Sequence, residues 1–117
     1  MSDSMPAMPD NVKTIFSMPI SNAPGKTVTS LIVDYAPGEK APPHHHGSAF
    51  VVGYVLSGEL RSQWEGEPMR IYKAGEYFIE EPGSHHLIAE NSSKDQDLKL
   101  LVVFVHDSAD PNIVVYD

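Results

Sequence analysis

Gly38-Glu39-Lys40-Ala41-Pro42-Pro43-His44-His45-His46-Gly47, answered downstream by Gly83-Ser84-His85-His86, is the stretch from which the rest of the chain is best understood. These two segments hold all but one of the six histidines, and the chain contains no cysteine. In extended backbone alternate residues face the same side, so His44 and His46 share a face and His45 takes the opposite one. Two imidazoles from one strand and a third from another strand place three nitrogen donors around a common point. Three protein ligands leave coordination positions open, which chemistry requires. The histidine run is internal and follows Pro42-Pro43, unlike a flexible tag. Without thiolates, a metal held here must accept nitrogen and oxygen donors.

The 117 residues fit one domain, large enough for a core without disulfide support. A formal charge of -8 argues against nucleic acid and anionic membrane as partners, because both are polyanions. The start of the sequence has neither the basic nor the apolar part of a secretory leader. No apolar run approaches the ~20 residues of a membrane-spanning helix. The expectation is a cytoplasmic protein.

Residues 1–10 are rich in Met, Ser, Pro and Asp and are expected to form a flexible arm. Strands are expected over 12–18, 27–35, 49–56, 59–64, 69–72, 77–79, 85–89 and 98–105. Turn signals separate them, among them Asn22-Ala23-Pro24-Gly25, Ala36-Pro37-Gly38 and Ser57-Gly58. The nearly continuous apolar run 49–56 suggests a strand buried on both faces. A short tail at 113–116 is expected to add at an edge or to reach a neighbouring subunit. Prolines and glycines interrupt every window long enough for an amphipathic helix. Some eight short strands at spacings of roughly 8 to 12 residues imply an all-β sandwich or barrel.

The same residues resemble the cupin superfamily. Its first motif runs Gly, His-X-His, Glu, Gly, and its second runs Gly, Pro-X-Gly, His, Asn. Gly38, His44, His46 and Gly58 fall in the first frame, and Gly75, Gly83 and His86 fall in the second. The resemblance implies a double-stranded β-helix, or jelly-roll β-barrel, occupying 11–117 as a single domain, with motif one at 38–58 and motif two at 75–91. It also implies a metal site of His44, His46 and His86, with His85 replacing His86 if the turn is wound differently. Val51, or Phe50 with the shorter spacing, stands where the pattern has its glutamate ligand. Glu81 and Glu90 stand at the proline and asparagine positions.

Two side chains are candidates to compensate for the missing carboxylate. Glu80 lies an even number of residues before His86, so both return to one face if the turn preserves parity. It would bind the ion, accept a hydrogen bond from an imidazole or from water on the metal, or act as the catalytic acid-base group. Gln63 is the other candidate, as a weak ligand or a substrate contact. Arg61 shares its face and would pair with an anionic substrate. Phe50, Tyr54, Trp64, Tyr72, Tyr77 and Phe78 read as core or dimer packing, and His106 as structural or exposed.

Neutral imidazoles accept divalent Fe, Mn, Co, Ni, Cu or Zn. Three of them leave the ion's charge uncompensated, which favours a small oxygen-bearing organic anion such as an enolate, diketonate, carboxylate or catecholate. With iron the expected chemistry is that of a dioxygenase. With zinc, nickel or manganese it is Lewis-acid isomerisation. The rival expectations are a non-catalytic small-molecule binder and a structural barrel with a vestigial site. Homodimerisation is expected, since a half-open jelly roll leaves an edge and an apolar face to cover.

Overall fold

Burial alternates residue by residue along the longer strands, which gives each sheet one wet and one dry face and brings the dry faces together. The computed structural model describes residues 11–117, and the arm expected at 1–10 lies outside the described residues. The strands are β1 (Val12–Pro19), β2 (Lys26–Tyr35), β3 (Lys40–Ala41), β4 (His44–His45), β5 (Phe50–Ser57), β6 (Glu59–Trp64), β7 (Arg70–Lys73), β8 (Tyr77–Glu80), β9 (His85–Asn91), β10 (Leu98–Asp107) and β11 (Val115–Tyr116). One sheet runs β1-β2-β10-β5-β8. The other runs β11-β4-β9-β6-β7, with β3 also pairing β9. Every pairing is antiparallel. This is the all-β double-stranded β-helix that the motifs imply, and no helix among the described residues is long and apolar enough to cross a membrane.

The strands beyond the expected eight are short ladders: β3, β4 and β11 contain two residues each. The tail at 113–116 takes the first of its expected alternatives, with Val115 and Tyr116 pairing His45 and His44 at the sheet edge. The run 49–56 departs from expectation. Val51 and Val55 are buried, whereas Tyr54 and Leu56 point outward and are exposed. With Tyr77 and Ile79 of neighbouring β8, they form an apolar outer surface.

Leu31, Val51, Val55, Leu60, Leu98, Phe104 and Ile113 form the most deeply buried part of the core. Full burial of such side chains contributes about 1.5–3 kcal/mol each. A Cβ at Gly53 would lie 2.1 Å from the ring of Phe78, so that ring would have to shift. Among the described residues, seven crossings carry the chain between sheets. Gly58 joins β5 to β6 with φ +84, and the turn after β8 leads into β9 through Gly83, whose N–H donates to the Gly47 carbonyl at 3.1 Å. This bond ties together the two histidine-bearing turns. Asn91 anchors the far end of β9, its amide reaching the carbonyls of Tyr35, Ala36 and Gln96.

Candidate metal centre

Register brings the imidazoles together: His44 on β4 lies directly opposite His86 on β9, while His45 opposes His85. His44, His46 and His86 are buried, and one ring nitrogen from each lies within 4.8 Å of the others. The remaining nitrogens are engaged by the protein. His44 Nδ1–H donates to the Pro42 carbonyl at 2.9 Å, and His46 Nδ1–H donates to the Ile113 carbonyl at 2.7 Å. His86 Nε2 shares a 2.5 Å hydrogen bond with the fully buried Ser62 hydroxyl. Such outer partners fix tautomer and ring orientation at metal-binding histidines.

Glu80 completes the cluster from the opposite sheet. The expectation put it on one face with His86; instead β8 and β9 belong to different sheets, and the two side chains meet across the barrel. Its Oε2 lies 3.3 Å from His46 Nε2, and its Oε1 lies 3.5 Å from His86 Nδ1. Since His46 already donates through Nδ1, its Nε2 and the Glu80 carboxylate are two acceptors facing one another. A metal ion between them would bind both. The donor set therefore fits a divalent transition ion.

Trp64, taken from sequence as packing, belongs to this site. It stacks on His86 with ring centroids 4.6 Å apart and 14° between planes, and its indole N–H donates to Glu80 Oε1 at 2.8 Å. Ser62 was likewise missed. Both follow from the dry face of β6, where Leu60, Ser62 and Trp64 alternate inward.

A cavity of about 280 Å³ opens above the imidazoles. Its wall is largely apolar, with Leu31, Val33, Leu100, Val102, Phe104 and Val114 among the lining residues. Tyr35 and Tyr116 add phenols. Glu39 and Lys40 line it too, and both are exposed.

Gln63 and Arg61 do not join the cluster, because the alternation that turns Ser62 and Trp64 inward carries both outward. Gln63 donates to the Glu67 carbonyl, and Arg61 pairs with Glu90 at 2.8 Å. His85 also faces away from the imidazoles, between Glu65 and Asp117 at 2.8 Å each; the hydrogen bonds it donates to these carboxylates raise its pKa. His106 is structural: buried, it donates to the Asp107 and Asp110 carbonyls and accepts from Thr29.

Burial pushes His44 below the ordinary imidazole value of 6.5 and His86 down to about 4. Burial alone would raise Glu80, but the hydrogen bond and charge of His46, followed by the charge of His86 and the Trp64 N–H, outweigh it and hold the carboxyl at about 2. Both effects make acid destabilising. Between pH 6.5 and about 4 the unfolded chain protonates a histidine that the folded chain keeps neutral, so stability falls as pH falls, by up to about 1.4 kcal/mol per pH unit for each such proton. Stabilisation by ionised Glu80, present above its ordinary 4.5, disappears as pH falls toward 2. The urea midpoint of metal-free protein should therefore drop from pH 7 to pH 4, and drop less steeply in His86→Gln. Parallel curves for the two proteins would contradict the assignment.

Comparison with known proteins agrees with this architecture. The family model described as the cupin domain matches residues 31–104. Germin-like protein 3-1 of Oryza sativa subsp. japonica is 37% identical over 67 residues, covering 54% of this chain; the chain spans 29% of the length of that relative. A protein with a double-stranded β-helix domain from Klebsiella pneumoniae superposes with a TM-score of 0.68 at 18% identity, covering 91% of this chain and 86% of its own. Recombinant oxalate oxidase in complex with glycolate superposes with a TM-score of 0.67 at 28% identity, covering 94% of this chain and 57% of its own.

Proposed function

The chain belongs to the cupin family, and from that premise we propose that it binds a divalent transition metal through His44, His46 and His86 and acts on a small oxygen-bearing organic anion. The observation that carries this reading is the set of three buried imidazoles, each tied to the protein through one nitrogen and converging through the other on the floor of a cavity. The likeness to an oxalate oxidase supports a ligand that presents oxygen atoms. A bound ion would supply Lewis acidity or, if iron, redox chemistry with dioxygen.

The protein's own groups divide the remaining work. Pro42, Ile113 and Ser62 orient the imidazoles, and the apolar wall excludes water. Glu80 suits a different role from the acid-base one expected from sequence. A carboxyl held at about 2 stays ionised and is a poor base near neutrality, where the best general base has a matching pKa. Its roles here are to balance charge and orient donors, with Oε1 fixed by Trp64. Tyr35 suits hydrogen bonding rather than proton transfer, since burial and nearby negative charge push its phenol above the ordinary range and keep it protonated, able to donate a hydrogen bond to a ligand oxygen but a poor acid.

Reconstitution of metal-free protein with Fe, Mn, Co, Ni, Cu or Zn, one at a time, tests the proposal. The expected result is one ion per chain, quenching of Trp64 fluorescence by paramagnetic Co, Ni or Cu, and oxygen uptake or conversion of a diketone, catechol or hydroxy acid with at least one metal. Trp64 is the only tryptophan, so the signal reports on this site alone. Tight metal and ligand binding without turnover would instead identify a binding protein. No metal uptake would identify a structural barrel.

A further inference from the structure

We infer that Glu80 sets the charge of the ligand this site accepts, selecting a monoanionic oxygen chelator with an apolar body over a dianion. The inference rests on the metal reading above and specifies its ligand. Glu80 is 3% exposed and sits 3.3 Å and 3.5 Å from metal-facing nitrogens of His46 and His86. A divalent ion among three neutral imidazoles and this carboxylate keeps a single net positive charge. A ligand with one negative charge neutralises it.

A second negative charge would meet Glu80 at short range in a poorly screened interior, where Coulomb repulsion is several times stronger than in water. The described cavity wall offers little to offset it. No arginine lines it; Arg61 is spent on Glu90 outside, and Lys40, its one cation of the Lys or Arg type, is exposed and stands next to Glu39. Elsewhere the lining is dominated by aliphatic residues and Phe104, which favours an uncharged, apolar remainder of the ligand.

The test uses the full chain loaded with redox-silent zinc. Glycolate and oxalate form the same five-membered chelate and differ by one charge; 2-hydroxy-3-methylbutanoate adds an isopropyl group to glycolate. Zinc content is measured first, and ligand affinity then follows by calorimetry for wild type and Glu80→Gln. Glutamine keeps an oxygen for the Trp64 N–H, so the fold is retained, with circular dichroism as the check. The expected result is that Glu80→Gln tightens oxalate relative to glycolate by roughly tenfold or more, and that the isopropyl ligand binds wild type more tightly than glycolate. Wild type alone gives a second reading: compared with zinc in water, it should reduce oxalate's advantage over glycolate.

A chain with one zinc whose oxalate-to-glycolate ratio is unchanged by Glu80→Gln, or whose wild-type ratio equals that of zinc in water, overturns this inference and leaves the metal reading standing. An isopropyl ligand weaker than glycolate also overturns it. A chain that takes up no zinc overturns both.

Discussion

His86→Ala is expected to leave the barrel folded and to weaken metal binding by more than 100-fold, beyond the 10- to 100-fold range typical of losing an outer partner. The reason is geometric. Only three imidazoles converge here, and His86 is the one supplied by β9, directly across from His44. Ser62→Ala provides the internal scale, because Ser62 touches His86 and not the ion's position. It should fall within the milder range. Chelator competition measures both affinities, and near-wild-type binding by folded His86→Ala would remove that residue from the site. Loss of the stacked ring should also shift the Trp64 emission even before metal is added.

The largest expected effect on stability comes from a glycine remote from this chemistry. Gly58 turns β5 into β6 at φ +84, and a Cβ there would lie 2.5 Å from the Asp97 carbonyl oxygen and 2.9 Å from Leu98 Cα. Backbone atoms cannot rotate away as a side chain can. Left-handed strain of roughly 1–2 kcal/mol adds to an overpacking cost of roughly 1–3 kcal/mol, so Gly58→Ala should destabilise by about 3 kcal/mol. Gly25→Ala is the matched control: its φ is +82 but nothing lies within 4 Å of the added carbon, so only the backbone cost applies. Thermal unfolding should place Gly58→Ala below the control by several degrees. Equal midpoints would show that the β5–β6 crossing yields without cost.

Much of the site can be read from sequence because strand parity is local. His44 and His46 share a face by alternation alone, and the structure buries both. Choosing His86 over His85 needs a longer-range fact, the pairing of β4 with β9. Parity also explains the misplacement of Gln63 and Arg61. Alternation groups them together but does not say which face of β6 is dry, although apolar Leu60 and Trp64 on the other parity favoured the opposite choice. Trp64 and Ser62 reach the site through the β6–β9 register, which joins distant segments and leaves no local trace.

The run 49–56 was misjudged for a different reason. Apolar residues on its outer face cannot be distinguished by periodicity from a second buried face. The chain leaves Tyr54 and Leu56 exposed while Val51 and Val55 are enclosed. The two-residue ladder β3 escapes for want of length, since a period cannot be counted over a pair.

Val51 and Glu80 are direct cross-strand partners, so their side chains emerge on the same side of the sheet a strand apart. An acidic group can thus change its address along the chain and still arrive at the same neighbourhood in space. Searches that demand a carboxylate at one fixed place in linear order will pass over such proteins and class them as degenerate, whereas a search over facing pairs in a folded sheet would retain them.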